Sequence, residues 1–285
     1  MPELPQMQAL AERLTDAIGD RVFVAYQPLS FHALKTVVPA PEASFGSPIA
    51  KVGRRAKYLA FELDGGVRLL IHLSQAGRLD IEEPPKRTKP KGAAVRLEFA
   101  PEPGGVPDLA LLLREHGTER KAGWWLLSAG DDGPLAKLGP EPDSAEFESF
   151  VMTADDGRRI HTILRDQRTV AGIGRGYADD ILHRARISPF ASLKSLDADT
   201  RRTLADAIRA VLADGLARER TRTGGLSANK LGEHFTVHGK YGLPCPECRT
   251  DLHRVSYESH EVVYCPQCQT GGKVLADRRM SRLLK

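Results

Sequence analysis

The chain has 285 residues, of which 41% are hydrophobic and 27% charged, and its formal net charge is +4. That length buries a sizeable core, with two domains the expected number, and no apolar run approaches the ~20 residues that span a bilayer. A membrane protein is therefore not expected; nor is a secretory leader, because the N-terminus carries Glu3 and lacks a continuous apolar core, so the expected location is cytoplasmic.

The chain opens Met1-Pro2-Glu3-Leu4-Pro5-Gln6. A small second residue favours removal of the initiator methionine, which would leave Pro2 as a free secondary amine. An α-amino group has a reference pKa of only ~7.7–8, so much of it is a neutral nucleophile near pH 7. A secondary amine condenses with an aldehyde carbon to a cationic iminium, and the Glu3 carboxyl beside it is placed to move protons. Read alone, these residues also suit an ordinary start. Leu4, Met7, Leu10, Ala11, Leu14 and Ile18 follow at helical spacing and predict an amphipathic helix over 4–18. Such a helix would hold Pro2 and Glu3 on a rigid element.

Beyond Gly19 the pattern predicts strands at 22–26, 50–52, 58–63, 67–72, 78–81, 94–99, 109–113 and 123–127, broken by turns such as Asp64-Gly65-Gly66. Many short strands behind one helix point to a β-sandwich or flattened barrel over 1–130. The basic, proline-bearing stretch 84–92 is expected to be a mobile loop inside it. Residues 131–144, rich in Gly, Pro and Asp, read as a linker.

From Ser144 the period turns helical, with helices expected at 145–153, 158–164, 177–186, 193–197 and 199–220. Between the second and third lies Thr169-Val-Ala-Gly-Ile-Gly-Arg-Gly-Tyr177. Such a turn is often only a connector. Three glycines ahead of a helix also expose backbone N–H groups to a phosphate, and Arg165, Arg168, Arg175 and Arg184 surround this one. Basic residues crowd 51–57, 86–91, 158–186, 201–222 and 273–285, which suits either a polyanion or solvated faces.

Cys245-Pro-Glu-Cys248, sixteen residues, then Cys265-Pro-Gln-Cys268 is the strongest motif. Two Cys-x-x-Cys knuckles at this separation suit a tetrahedral four-thiolate Zn²⁺ site, and two disulfides would need an oxidising compartment for which there is no other sign. Four thiolates leave no open position, so the zinc would be structural. Residues 252–258 and 261–264 alternate as a hairpin between the knuckles, a zinc β-hairpin finger.

Taken together, Pro2-Glu3-Leu4-Pro5, Gly53-Arg-Arg-Ala-Lys-Tyr-Leu59, the His72-Leu73 strand end, Asp166-Gln167 through Tyr177-Ala178 and the cysteine finger resemble the formamidopyrimidine-DNA glycosylase and endonuclease VIII family of DNA repair enzymes. The resemblance implies an α+β multidomain chain: a β-sandwich catalytic domain at 1–130, a helix–two-turns–helix domain at 145–235, a zinc finger at 236–270, and here a basic extension at 271–285. It implies a monomer that binds double-stranded DNA containing a damaged base or an abasic site, in a cleft between the domains. Pro2 would attack the sugar C1′, Glu3 would handle protons, and Lys57 would contact the phosphate beside the lesion. His72, Arg175 and Tyr177 fall at or beside phosphate-contact positions. A flipped nucleotide would be held by cations on both sides.

The departures from the family pattern matter as much. Gln6 stands where a glutamate is common. The three side chains that fill the hole left by a flipped base, Met, Arg and Phe in the family, align with Gln75, Arg114 and His116, so two apolar wedges are polar here. A family asparagine is Arg175, a family lysine is His161, and the finger arginine tied to δ-elimination is His260, which is shorter and lacks the planar fork. The connection from Gly224-Gly225 to the finger is also shorter than in the branch that caps 8-oxoguanine. Opening of abasic sites is expected to survive these changes and 8-oxoguanine excision to be weak. The rival reading is a lesion- or structure-binding protein on the same scaffold without catalysis.

Overall fold

Helix α1 covers Leu4–Ile18, and its buried stripe is the one that the spacing requires: Leu4, Met7, Leu10, Ala11, Leu14 and Ile18. Pro5 sits in the first turn, where its missing N–H has no intrahelical partner to lose. The structure is a computed structural model and describes residues 2–117, 119–224, 226, 234–257 and 260–276. It divides into two units, Met1–Ala136 with Glu219–Leu231, and Lys137–Arg218 with Gly232–Lys285. No helix of the described residues is long and apolar enough to cross a membrane.

In the first unit, eight antiparallel strands follow α1: β1 (Val22–Pro28), β2 (Ser47–Arg55), β3 (Tyr58–Leu63), β4 (Arg68–His72), β5 (Gly77–Glu82), β6 (Ala93–Ala100), β7 (Leu109–Glu115) and β8 (Gly123–Leu127). Their order is β5-β7-β6-β1-β2-β3-β4-β8. The β1–β2 ladder is short, Val22 against Pro48 and Phe23 against Ser47, so the ribbon folds there into two four-stranded halves. Residues 33–35 close the opposite side, with the Trp124 N–H donating to the Ala33 carbonyl (2.8 Å) and the Lys35 N–H to the Trp124 carbonyl (2.9 Å). Met7, Leu14, Phe23, Phe61, Phe99 and Trp124 share the one core between the halves and α1. This is the expected β-sandwich with its leading helix.

Two details differ from expectation. Strand β2 runs well beyond 50–52, because its polar positions, Lys51, Arg54 and Arg55, are carried by the ladder with β3, which shifts register between Ile49 and Lys51, rather than by burial. The basic stretch 84–92 is anchored: the fully buried Arg96 donates to Glu82 (2.6 Å) and to the Thr88 carbonyl (2.8 Å), and the Lys86 N–H donates to Glu82 (3.1 Å). An unpaired buried guanidinium is costly, and the loop backbone helps to satisfy it.

In the second unit, α2 (Ala145–Thr153) starts at an N-cap, Ser144, whose hydroxyl accepts the Phe147 N–H at 3.2 Å. Then come α3 (Ile160–Arg165), α4 (Arg175–Arg184) and the long α5 (Ala198–Thr221), whose last turn belongs to the first unit. The segment 193–197 is a single 3-10 turn, Leu193–Ser195, rather than a full helix. Arg201, buried in the α5 N-terminal half, donates to the carbonyls of Val151 (2.8 Å), Ala154 (2.9 Å) and Leu193 (2.7 Å) and so ties α2 to that turn. Phe147, Ile163, Ile173, Tyr177 and Ile208 belong to the core of this unit.

The finger pairs β9 (His253–Ser256) with β10 (Glu261–Tyr264), and α6 (Pro266–Thr270) follows inside the second knuckle. No apolar periodicity marks α6, which is little more than one turn long. It starts because Cys265 caps it, its sulfur accepting the Cys268 N–H at 3.4 Å, and Pro266 opens it. Leu275 ties back through its N–H to the Tyr264 hydroxyl (2.8 Å); Arg278, Arg279, Arg282 and Lys285 of the basic extension lie outside the described residues.

Candidate DNA-repair site

Pro2 and Glu3 are buried at the start of α1, and Glu3 is its N-cap. The Glu3 carboxylate accepts the Gln6 backbone N–H while the Glu3 N–H donates to the Gln6 side-chain oxygen at 3.0 Å, a reciprocal capping box. Gln6 thus fills the structural role at the third helical position that a glutamate fills, without a second charge.

Lys57 is 5% exposed and lies in the two-residue turn between β2 and β3. Ala56 before it has φ 52°, a left-handed conformation that costs an L-residue about 1–2 kcal/mol and sets the direction in which Lys57 leaves the turn. Tyr58 opens β3 opposite His72 of β4, and their rings lie 4.6 Å apart. Burial, with the Lys57 ammonium adding to it, pulls the His72 pKa down to about 4. His72 is therefore neutral near pH 7 and offers a ring N–H or lone pair, not a charge.

Gln75, Arg114 and His116 gather at one end of the β5–β7 ladder. Gln75 is exposed on the turn from Leu73 to Gly77, where the Gly77 N–H donates to the Leu73 carbonyl at 2.8 Å. Only glycine fits there, since a Cβ on Gly77 would stand 2.2 Å from that oxygen. The His116 N–H donates to the Ala76 carbonyl (3.1 Å), which brings the exposed His116 beside the Gln75 turn. Arg114 is half-buried and held by Asp80, Nε to Oδ2 at 2.5 Å. That partner was not legible in the sequence, because it depends on the β5–β7 register.

The second unit holds the other expected contacts. Gln167 braces the glycine turn, its side chain accepting the Gly172 N–H (2.9 Å) and donating to the Ile173 carbonyl (2.6 Å). Arg175 is exposed in the first turn of α4, just beyond Gly174. Tyr177 lies in the core, edge-on to Phe235 at 5.1 Å and packed over Gly215, where a Cβ would meet its hydroxyl at 2.4 Å.

His161 is buried too, Nε2 lying 3.0 Å from the Asp179 carboxylate. The other Asp179 oxygen takes His238 Nδ1 (2.6 Å) and the Val263 N–H (3.2 Å), so one carboxylate links α3, α4 and the finger. Burial pushes Asp179 up, but the two imidazoles outweigh it and hold it below the usual range. Asp180 beside it accepts the N–H groups of Thr236, Val237 and His238 at 2.6, 2.8 and 3.2 Å. Both aspartates tie the helices to the finger, and the sequence reading missed them. Their partners lie up to 84 residues away, so no local pattern marks them.

In the finger, His260 stacks on Tyr257, with centroids 4.6 Å apart and planes within 7°. Burial, then the cations Arg165 and Arg175, lower its pKa to about 4. It carries no charge near pH 7, unlike the family arginine.

The four cysteine sulfurs all lie within 4.8 Å of one another, with Cys248–Cys265 at 3.4 Å and Cys245–Cys268 at 4.0 Å. Disulfides need about 2.05 Å. A tetrahedral metal with bonds of about 2.3 Å sets sulfurs about 3.8 Å apart, so the site fits a metal ion. His183 of α4 adds a contact from behind, Nε2 to Cys245 Sγ at 3.2 Å.

Residues 1–106 match the formamidopyrimidine-DNA glycosylase N-terminal domain, and residues 138–225 match the formamidopyrimidine-DNA glycosylase H2TH domain. The formamidopyrimidine-DNA glycosylase of Chloroflexus aggregans is 34% identical over 281 residues, covering 94% of this chain and 98% of that one. A protein described as an uncharacterized formamidopyrimidine-DNA glycosylase-like protein of Mycobacterium tuberculosis is 41% identical over 158 residues, 55% of this chain and 99% of its own length. Among solved structures, the MutM (Fpg) protein of Thermus thermophilus superposes with a TM-score of 0.78 at 28% identity, covering 96% of this chain and 100% of that one. A Lactococcus lactis Fpg mutant bound to DNA containing Fapy-dG gives 0.78 at 25% identity, covering 94% and 100%. Matched by two domain models of one family and by a relative 34% identical along nearly its whole length, the chain belongs to the formamidopyrimidine-DNA glycosylase family.

Proposed function

We propose that this chain is a base-excision repair glycosylase and abasic-site lyase that acts as a monomer on duplex DNA. The observation that carries the reading is the buried Pro2-Glu3 pair locked at the start of α1 by the Glu3–Gln6 capping box. A reaction at the chain terminus needs that terminus held still, and the helix does so.

In this reading Met1 is removed and the Pro2 nitrogen attacks C1′ of the damaged nucleoside. The C1′–base bond breaks, the base leaves with a proton, and the ring oxygen takes a proton as the sugar opens to an iminium. Glu3 is the group placed to carry those protons. The iminium then draws electrons from the C2′–H bond as the proton leaves, and the 3′ phosphate departs. Lys57 holds the phosphate beside the sugar, and neutral His72 contributes a hydrogen bond. Gln75, Arg114 and His116 meet the gap and the orphaned base, while Arg175 and the glycine turn meet backbone phosphates. His161 and Tyr177 position those contacts from within the core.

Zinc is the metal that the four thiolates fit best; it would hold the hairpin and take no part in bond breaking. Neutral His260 favours an enzyme that stops after β-elimination. Borohydride trapping on abasic duplex DNA tests the whole. An adduct with the wild type and none with Pro2→Gly supports it. Equal trapping by both, or a mass spectrum that retains Met1, leaves the binding scaffold without the chemistry.

A further inference from the structure

A cleft of about 390 Å³ lies within the second unit and is lined by Arg159 and Arg165 at the two ends of α3, by Phe190 from the connection after α4, and by Tyr257 and His260 of the finger. Arg159 is held in it from two sides. Its guanidinium lies over the Phe190 ring at 3.9 Å, and Nη1 donates to the Tyr257 hydroxyl at 2.9 Å. Tyr257 is in turn stacked on His260. A guanidinium has five N–H donors, and this bond uses one. The ring beneath and the hydroxyl beside it restrict its rotamers, which lowers the entropy lost when an anion binds.

Among the described residues that line the cleft the balance of charge is positive: Arg159 and Arg165 face one carboxylate, Asp166, whose oxygens already accept from Arg158 (3.0 Å), Thr169 (2.8 Å) and the Arg168 N–H (3.1 Å). His260, with its pKa near 4, adds nothing to that charge. We infer that Arg159 binds a backbone phosphate of the DNA in this cleft and supplies there the charge that the finger histidine lacks. The planar fork suits a phosphodiester oxygen pair. The inference rests on the reading of the chain as a DNA-binding enzyme.

The test uses the full-length, zinc-loaded protein and two duplexes, one with a stable abasic analogue and hydroxyl ends and one nicked with a 5′ phosphate, each titrated over a range of salt. Arg159→Gln keeps a donor for Tyr257 and removes the charge. It should bind several-fold more weakly at 0.1 M salt and lower the slope of log affinity against log salt by about 0.9, the value for one phosphate contact. Arg159→Lys should keep the wild-type slope, and His260→Arg placed in the Arg159→Gln protein should restore it. An unchanged slope for Arg159→Gln overturns the inference, whether or not affinity falls, because the arginine would then only brace Tyr257. A slope change seen only when a nick carries a 5′ phosphate overturns the internal contact in favour of a terminal one. Absence of salt-dependent binding by the wild type would instead remove the DNA reading itself.

Discussion

The Glu3 N–H donates to the Gln6 side chain at 3.0 Å while the Glu3 carboxylate accepts from the Gln6 backbone. The candidate proton carrier is thereby also the cap that starts α1. Gln6→Glu keeps the box and should leave both melting temperature and borohydride trapping close to wild type. Gln6→Ala should cost about 1 kcal/mol of stability and reduce trapping further than the stability loss explains. Identical melting and trapping for Gln6→Ala would show that the cap does not position Glu3.

Protonation of His72 should be visible in the stability of the fold. Its pKa is near 4 in the folded chain, against an ordinary value near 6.5, because burial and then Lys57 oppose the charged ring. Between those values the unfolded chain holds the proton and the folded chain does not. The contribution of His72 is therefore full above about pH 6.5 and falls as pH drops toward 4, by at most about 1.4 kcal/mol per pH unit, with His260 adding a loss of the same sign. Denaturant titrations at stepped pH read this, and His72→Phe should make the curve shallower between about pH 6.5 and 4.5, with the slope owed to His260 remaining. A His72→Phe curve as steep as wild type assigns the effect to other groups.

His183 lies 3.2 Å from Cys245 Sγ and is buried on α4, so it is placed to donate an N–H to a metal-bound thiolate. Loss of such an outer hydrogen bond commonly weakens metal affinity roughly 10–100-fold. His183→Phe should release zinc to a competing chelator in that range, with the helices still folded by circular dichroism. Equal retention by wild type and His183→Phe would reduce the contact to packing.

The Gln75 turn depends on Gly77 lacking a side chain. A Cβ there would press to 2.2 Å against the Leu73 carbonyl, a backbone atom with no room to withdraw. Gly77→Ala should cost roughly 1–3 kcal/mol or more, as overpacked sites do, and should change opposite-base preference by displacing Gln75. Gly53→Ala is the control: its new Cβ would meet only Lys51 Cε at 3.9 Å, and its melting point should stay near wild type.

Much of this chain was legible in one dimension. Helix α1 and strand β8 fall at the expected residues, because apolar spacing reports which face is buried. The cysteine knuckles announce a metal site because ligand spacing within each knuckle is local. What the fold alone decided is the state of the polar side chains. Arg114 found Asp80 through strand register, His161 and His238 found Asp179, and Arg159 was oriented by Phe190 and Tyr257. His72 and His260 lost their charge to burial and to nearby cations. The order of residues names the chemical groups, but desolvation and distant partners set their charge and direction, and those exist only once the chain has closed around them.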